Sequence, residues 1–132
     1  MIATDPATTD IDAVCDFLQT AYWAHDVSRA DLVQSIRAAL VYNLIDENDG
    51  AQIGFARVVT DGSRIGWLSD VYVLDAYRGR GLGKWLVGTV MADPRVAGLR
   101  RMVLATDDAH ALYRQYGWSD APPGRYMIYS KA

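Results

Sequence analysis

The sequence predicts a mixed α+β fold, in which a central, mostly antiparallel sheet is flanked by about four helices. Two amphipathic stretches come first, strand-like runs separated by short turns come next, and the last part reads strand, loop, helix, strand, helix, strand. Short turns favour antiparallel pairing, whereas a strand–helix–strand segment requires at least one parallel crossover. The length, 132 residues, suits one domain over residues 1–132.

The first predicted helix begins near Thr9, because Thr9 and Asp12 have the spacing of a capping box. A short strand over residues 2–4 precedes it. One face of the helix carries apolar residues at helical spacing: Ile11, Val14, Cys15, Leu18 and Tyr22. Tyr22 and Trp23 are expected to close this helix, with residues 24–26 as a loop.

Cys15, the only cysteine, lies on this apolar face and is predicted to be a core residue rather than a nucleophile. It cannot form an internal disulfide, which fits a reducing compartment. The capping pattern recurs at Ser28 and Asp31, where a second helix should begin and run to about Leu40.

An antiparallel meander is expected from Val41 to Val73. Residues 41–46 and 52–60 are predicted strands joined by a turn at 47–50, and Asp61-Gly62-Ser63 is the turn into the next strand. The buried positions of the second strand should be Ile53, Phe55 and Val58. The third strand ends in Val71, Tyr72 and Val73, which suit a pleated surface.

A central helix should follow, with one apolar face packed on the sheet: Leu82, Trp85, Leu86 and Val90. Asp93-Pro94 ends it, and residues 95–100 are expected to be irregular. Residues 101–105 form a predicted buried strand. The last helix is capped by Thr106 or Asp107 and runs through Tyr116 to Gly117. A turn at 121–124 leads to a final predicted strand over residues 125–129.

Composition narrows the class of function. Hydrophobic residues make up 51% and charged residues 22%, an ordinary globular balance. The net charge of −3 and the pI of about 5.2 argue against general nucleic-acid binding. The N-terminus shows no signal-like run, and no apolar stretch has the length of a membrane span. We therefore expect a soluble cytoplasmic protein that binds no membrane, no nucleic acid and no metal.

Three alternating glycines, Gly79, Gly81 and Gly83, open the central helix. A glycine-rich turn at a helix N-terminus leaves several N–H groups free, and the helix dipole favours an anion there. Positive charge is added by neighbouring side chains: Arg78, Arg80 and Lys84. The segment is therefore predicted to bind a phosphate or pyrophosphate; the alternative is a tight turn without a ligand.

The spacing of these glycines excludes two common phosphate loops. A Walker loop requires Ser or Thr where Trp85 stands and glycine where Arg78 stands. A dinucleotide fingerprint requires glycine or alanine where Lys84 or Leu86 stands. The pattern that fits is Arg/Gln-x-x-Gly-x-Gly/Ala, met by Arg78, Gly81 and Gly83.

The segment from Val71 to Gly83 resembles the acetyl-CoA segment of the GNAT superfamily of N-acetyltransferases. The resemblance implies a GNAT-like sheet that splays at the cofactor site, and a pantetheine arm paired with free backbone groups of Val71 and Val73. It implies acetyl-CoA as the cofactor, held by these residues: Val71, Tyr72, Val73, Arg78, Gly79, Arg80, Gly81, Leu82, Gly83, Lys84 and Tyr113.

Residues 109–118 resemble a second GNAT signature, a helix that ends Leu-Tyr-x-x-x-Gly-Phe, with Trp118 in the phenylalanine place. In that family the helical tyrosine lies near the sulfur of acetyl-CoA and protonates the leaving thiolate. That tyrosine is Tyr113 here; the alternative is a core aromatic residue. Thr106 stands where the family often has asparagine, which weakens the case for a side-chain contact to the cofactor there.

A general base must deprotonate the attacking ammonium. Glu47, the only glutamate, falls in a turn, so the best carboxylate is Asp70, next to the cofactor segment. Its alternative role is a polar strand-edge residue or the partner of an arginine. His25 and His110 are weaker candidates for the base.

The resemblance places the acceptor pocket at the junction of the first two helices. This points to Tyr22, Trp23, His25 and Asp26, with Tyr126 as a more remote possibility. The alternative role of Trp23 is packing.

The predicted function is acetyl transfer from acetyl-CoA to a primary amine of a small molecule or an exposed amino group, by direct attack in a ternary complex. The alternatives are a non-catalytic acyl-CoA sensor and an acyltransferase with another donor or acceptor. A monomer or a homodimer is expected.

Overall fold

The computed structural model describes residues 1–130. Five strands form one sheet in the order β1-β2-β3-β4-β5, antiparallel except for the parallel pair β4 and β5. The strands are β1 (Ile2–Ala3), β2 (Leu40–Ile45), β3 (Gln52–Thr60), β4 (Ile65–Val73) and β5 (Arg101–Val103). The helices are α1 (Ile11–Leu18), α2 (Arg29–Arg37), α3 (Leu82–Ala92), α4 (Pro94–Ala97) and α5 (His110–Arg114). The mixed sheet confirms the predicted fold class and the meander.

Helices cover both faces of the sheet. On one face, α1 and α2 bury a cluster with the sheet: Val14, Cys15, Leu18, Leu32, Ile36, Val41, Phe55 and Tyr72. On the other face, α3 and α5 bury a second cluster: Tyr42, Ala56, Val58, Leu68, Leu86, Val87, Val90 and Tyr113. Alternate strand residues therefore serve opposite cores. Cys15 is fully buried, which confirms its predicted place in the core.

α1 ends at Leu18, so the prediction that it reaches Tyr22 is wrong. The chain tightens after Leu18, since Thr20 N–H bonds the Phe17 carbonyl and Ala21 N–H bonds the Leu18 carbonyl. The Thr20 hydroxyl also donates to the Phe17 carbonyl, 2.6 Å away, and so competes with the helical ladder. Residues 21–27 form an irregular connection between α1 and α2. This connection projects toward the end of β4.

The cap of α1 also differs from the prediction. Asp10, not Thr9, accepts the hydrogen bond from Ala13 N–H, at 3.0 Å. Thr9 instead donates its hydroxyl to the side-chain oxygen of buried Asn43. Ser28 does cap α2 as predicted, through a 3.2 Å bond from Asp31 N–H, although α2 ends at Arg37 rather than near Leu40.

α3 ends at Asp93-Pro94 as predicted, but its buried face is turned slightly. Trp85 is 48% exposed, whereas Val87 is buried beside Leu86 and Val90. The residues expected to be irregular after it include α4, because Asp93 caps a new turn through Arg95 N–H at 2.9 Å. Within residues 1–130, no helix combines the length and apolar character of a membrane span.

The C-terminal third departs most from the prediction. β5 stops at Val103 rather than Ala105, and α5 stops at Arg114, although Gly117 has the expected positive φ, +89°. The predicted final strand over residues 125–129 is wrong for this structure, because these residues join no ladder. Their side chains from Met127 to Tyr129 are almost fully exposed.

Candidate active site

β4 and β5 separate after the first third of β4. Their pairing covers only Ile65–Trp67 of β4, and within residues 1–130 no strand pairs with the rest of that edge. Leu74 N–H donates to Ile53 of β3 at 2.8 Å, so the backbone groups of Val73, and by alternation Val71, point toward the free edge. An extended ligand with amide groups can pair with these groups as an added strand.

The free edge of β4 leads into the glycine loop, residues 78–84, at the start of α3. Gly79 and Gly81 have φ of +81° and +73°, conformations that favour glycine. A Cβ placed on Gly79, Gly81 or Gly83 would meet no atom within 4 Å. The loop is therefore open to a ligand rather than sealed by neighbouring side chains.

The start of α3 has unused hydrogen-bond donors. Its first helical bond runs from Trp85 N–H to the Gly81 carbonyl at 3.0 Å, and Gly81 provides no side-chain cap. The N–H groups of the first turn, at Leu82, Gly83 and Lys84, thus lack a helical acceptor. No acidic side chain occupies this turn, so the positive end of the helix dipole is not neutralised.

Three cations surround these amides. Arg78 is exposed, lies 3.1 Å from Asp75 and donates to the Val73 carbonyl at 3.4 Å. Arg80 lies over the Tyr77 ring, 5.3 Å from its centroid, and Lys84 is exposed on the first turn of α3. This charge and geometry suit a pyrophosphate.

Tyr72 is placed differently from its neighbours. Its ring is 5% exposed and stacks on Phe17 at a centroid distance of 3.8 Å. By the same alternation, its backbone groups point toward β3. Of the three predicted contacts at the end of β4, only Val71 and Val73 thus face the free edge.

Asp70 lies in a bulge of β4, where β4 has one residue more than β3, and it has a positive φ of 55°. Its buried carboxylate accepts Arg57 Nε at 2.6 Å and Trp23 Nε1 at 2.8 Å. A non-glycine residue in this conformation costs about 1–3 kcal/mol and persists only where its surroundings hold it, as these two bonds do. Asp70 is thus the partner of an arginine, the alternative role that the sequence left open.

Tyr113 of α5 is 8% exposed, and its hydroxyl makes no hydrogen bond to residues 1–130. Burial raises the pKa of Tyr113 above its usual value of 10, and the negative charge of Asp108 raises it further. The hydroxyl therefore keeps its proton at neutral pH. By contrast, the Tyr116 hydroxyl donates to the Lys84 carbonyl at 2.7 Å.

The connection between α1 and α2 approaches the site from the other side. Tyr22 and Trp23 are exposed and pack edge to face, with centroids 5.1 Å apart. Partial desolvation raises the pKa of Tyr22, and the negative charges of Asp107 and Asp108 raise it further. The connection between α1 and α2 therefore lies beside the loop before α5.

The remaining candidates are more peripheral. His25 bonds the Tyr22 carbonyl through Nδ1 at 3.1 Å, and Asp26 is exposed. His110 is exposed at the start of α5. Glu47 lies in an exposed turn, 3.8 Å from the terminal amine. Within residues 1–130, no three His, Cys, Asp or Glu side chains are arranged as a metal site.

Sequence reasoning missed three residues of the site. Arg57 of β3 lies close to Asp70 across the β3–β4 pair, beside a bulge in β4 that sets Ser69 directly opposite Arg57, and no sequence motif pointed to this ion pair. Asp107 was considered only as a possible helix cap, and Asp108 was not considered. Their position just before the Tyr113 motif was the one available signal that they lie near the site.

Comparisons with known proteins agree with this geometry. The model of the acetyltransferase (GNAT) family matches residues 11–118. The Gibberella zeae protein FG08082 is 30% identical over 142 residues, which cover 91% of this chain and 79% of that protein.

Solved structures show the same fold. A GNAT-family protein of Xanthomonas campestris pv. campestris is similar with a TM-score of 0.91 and 36% identity, covering 100% of this chain and 92% of that one. A Clostridium acetobutylicum protein solved with acetyl-CoA shares the fold at a TM-score of 0.70 and 12% identity, covering 98% and 96%.

Proposed function

Because the chain belongs to the GNAT acetyltransferase family, we propose that it transfers the acetyl group of acetyl-CoA directly to a primary amine. The acceptor is a small molecule or an exposed amino group, bound together with acetyl-CoA in a ternary complex. The observation that carries this proposal is the part of β4 beyond Trp67, which has no strand partner within residues 1–130 and runs toward the uncapped start of α3. Tyr113 packs in the same apolar cluster as Val71 of this strand.

The residues present fit coenzyme A. The amides of the first turn of α3, with Arg78, Arg80 and Lys84, suit its pyrophosphate. The backbone of Val71 and Val73 suits the amides of its pantetheine arm, which leaves the thioester near the middle of β4. An arm held along a rigid strand places the reacting carbon at a defined position, which is how binding lowers the barrier to transfer.

Tyr113 is proposed as the general acid. As the amine nitrogen attacks the thioester carbonyl, a C–N bond forms, the C–S bond breaks and the electron pair leaves on sulfur. The Tyr113 hydroxyl then gives its proton to the thiolate, and the attacking nitrogen, which must lose a proton as the amide forms, returns one to the Tyr113 oxygen. A buried phenol, whose pKa is raised by desolvation, keeps its proton at neutral pH and is available for this step.

The proton of the attacking ammonium needs a separate route. Asp70 is the carboxylate that the sequence predicted as the general base. Both of its oxygens, however, already accept hydrogen bonds, one from Arg57 and one from Trp23. This geometry favours a positioning role, in which Asp70 orients the Trp23 ring at the acceptor side and water carries the proton away. The acceptor would then pack against Tyr22 and Trp23.

A two-stage experiment tests the proposal. First, coenzyme A should raise the melting temperature, since a ligand that binds only the folded state stabilises it. Second, a thiol-release screen with acetyl-CoA against amines, amino acids, polyamines, aminoglycosides and peptides should reveal turnover. Thermal stabilisation without turnover across the panel would support a non-catalytic sensor. Absence of both effects would contradict the proposal.

A further inference from the structure

Part of one sheet face is open in the described chain, residues 1–130. Val59 of β3 and Trp67 of β4 lie directly opposite each other, and each is 44% exposed. Ile65, two residues before Trp67 and therefore on the same face, is 47% exposed. We call these three side chains the β3–β4 strip. Exposed apolar side chains that lie together, unlike scattered ones, are typical of a binding surface.

The strip lies on the face of the sheet that α1 and α2 cover elsewhere. Arg57 is paired with Val41, which belongs to the core under these two helices, so its side chain points to that face. Val59 follows Arg57 by two positions, and residues two positions apart on a strand share a face. Trp67 likewise precedes Ser69, the partner of Arg57, by two positions. The strip therefore continues the surface that carries Arg57.

One end of the strip meets the acceptor side of the proposed site. Arg57 donates to the Asp70 carboxylate at 2.6 Å, and the Trp23 indole N–H donates to the same carboxylate at 2.8 Å. Two residues along a strand span about 7 Å, so the backbone of Trp67 lies about this far from that of Ser69, at the middle of β4. A molecule that reaches the middle of β4 from this face therefore passes over the strip.

The charge of this surface suits an apolar molecule better than one with several ammonium groups. The strand residues that share this face include no acid: Arg57, Val59, Ile65, Trp67, Ser69, Arg101 and Val103. Asp70, beside them, already bonds Arg57 and Trp23. Arg101, opposite Ile65 at the far end, is exposed and positively charged. A second ammonium would find no carboxylate at these positions, whereas an apolar group would cover the strip and leave water.

We infer that the acceptor carries its primary amine on an aromatic or apolar body, and that this body lies on the β3–β4 strip. This inference rests on the proposed function, since it identifies the acceptor of that reaction. The amine reaches the thioester beside Trp23, while the body packs on Trp67 and Val59. A ring placed on the Trp67 indole buries apolar area and gains a favourable contact between rings. Trp67 thus determines which amines are accepted and takes no part in the bond changes.

Two acceptors of similar length test the inference. Phenethylamine carries its amine on a phenyl ring, whereas putrescine carries a second ammonium instead, so kcat/KM should be higher for phenethylamine. Trp67→Thr keeps a residue that favours strands and should lower kcat/KM for phenethylamine about tenfold, mainly through KM, because it removes the ring contact. The KM for acetyl-CoA and the kcat/KM for putrescine should change little. Val59→Thr should act in the same direction with a smaller effect.

Trp85→Ala is the matched control. Trp85 is 48% exposed, like Trp67, but it lies on α3, which packs on the other face of the sheet. This variant should keep the preference of the wild type for phenethylamine. Equal kcat/KM for the two amines in the wild type, or a preference unchanged in Trp67→Thr, would overturn the inference. If Trp67→Thr does not fold, the preference of the wild type and its change in Val59→Thr decide instead.

A binding measurement separates the inference from the proposed function. In titration calorimetry of the protein saturated with coenzyme A, phenethylamine should bind more tightly than putrescine, and Trp67→Thr should weaken its binding about tenfold. This pattern without any turnover would contradict acetyl transfer but support the strip as the surface that binds the amine. Turnover of amines without a preference for the aromatic acceptor would overturn the inference and leave the proposed function standing.

Discussion

At the scale of single residues, two tyrosines of the second signature have different tasks. Tyr116 fixes the end of α5 to the first turn of α3, since its hydroxyl bonds the Lys84 carbonyl and its ring lies against Gly88. The Tyr113 hydroxyl makes no hydrogen bond to any other residue in the range 1–130. The sequence placed both on one helix, but only the contact of Tyr116 with α3 shows which hydroxyl remains available for chemistry.

The substitution Tyr113→Phe should therefore reduce kcat about 10²-fold or more, because it removes the acid that protonates the thiolate. Binding of coenzyme A, measured by its effect on the melting temperature, should change little. Since the acid must be protonated, wild-type kcat should fall only above pH ~10, the ordinary pKa of tyrosine.

Tyr116→Phe is the matched control for that experiment. It removes one hydrogen bond and should cost about 1 kcal/mol of unfolding free energy while largely preserving kcat. An unchanged kcat in Tyr113→Phe, or an equal loss in both variants, would remove Tyr113 from the mechanism.

The roles of Asp70 and Trp23 can be separated by kinetics. If Asp70 acts by holding Trp23, then Asp70→Asn and Trp23→Phe should each raise the KM for the amine more than the KM for acetyl-CoA. Their effects should also be non-additive in the double variant, because both act on the same 2.8 Å contact between the Trp23 indole N–H and the side chain at position 70. Asparagine tolerates the positive φ at this position, so the fold should persist.

Trp85→Phe provides the control, because Trp85 is a similarly exposed tryptophan on α3. It should leave the KM for the amine unchanged. A large, additive fall of kcat in Asp70→Asn, with the KM for the amine unchanged, would instead identify Asp70 as the base itself.

At the scale of elements, the sequence predicted the strands of the meander well. β3 spans the residues predicted for it, since the turn residues at 47–50 and 61–63 mark both of its ends. The end of α1 was missed, because its apolar periodicity continues to Tyr22 while the Thr20 hydroxyl competes for the last carbonyls. The motifs located the glycine loop and Tyr113, but they did not reveal that Arg57 of β3 pairs with Asp70 beside a bulge in β4, because this depends on how the two strands are aligned.

The first turn of α3 allows a test of the glycine loop that spares the fold. Gly83 has an ordinary helical backbone, and a side chain there would meet no atom within 4 Å. Gly83→Glu should therefore fold, yet its carboxylate would repel a pyrophosphate and occupy the space above the free amides. We expect this variant to lose the rise in melting temperature caused by coenzyme A.

Gly83→Ala is the matched variant without charge. It should keep most of that rise and stabilise the free protein by up to about 1 kcal/mol, because alanine favours the helix. Equal responses of the Glu and Ala variants to coenzyme A would place the pyrophosphate elsewhere.

At the scale of the whole molecule, the described sheet buries a core on each face and leaves part of an inner strand unpaired. Within residues 1–130, β4 beyond Trp67 has no strand partner, and β1 and β5 are the edge strands. The sequence predicted a final strand from the composition of residues 125–129, but these residues join no ladder in the described chain. Composition and periodicity report only that a segment prefers to be extended, not whether a partner strand is available.

One polar cluster connects the sheet to the helices on its second face, and it should make stability depend on pH. The Tyr42 hydroxyl donates to Asp93 at 2.7 Å, and Arg95 bonds the same carboxylate at 2.8 Å. Chiefly because of Arg95, the pKa of Asp93 falls from 3.8 to about 2. A carboxyl whose pKa is depressed on folding stabilises the protein above its unfolded pKa.

Asp93→Asn should therefore lower the free energy of unfolding by about 2 kcal/mol at pH 7, the value of a shift of this size. Asparagine still caps α4, so loss of the cap should add little. The difference between wild type and variant should be constant down to about pH 4, should shrink as the pH falls through the folded pKa of about 2, and should be lost below it, where Asp93 is protonated in both states. Urea unfolding at pH 7, 5, 4 and 3 measures this difference. A gap that stays constant across that range would mean that Asp93 acts through packing or the helix cap rather than through its charge.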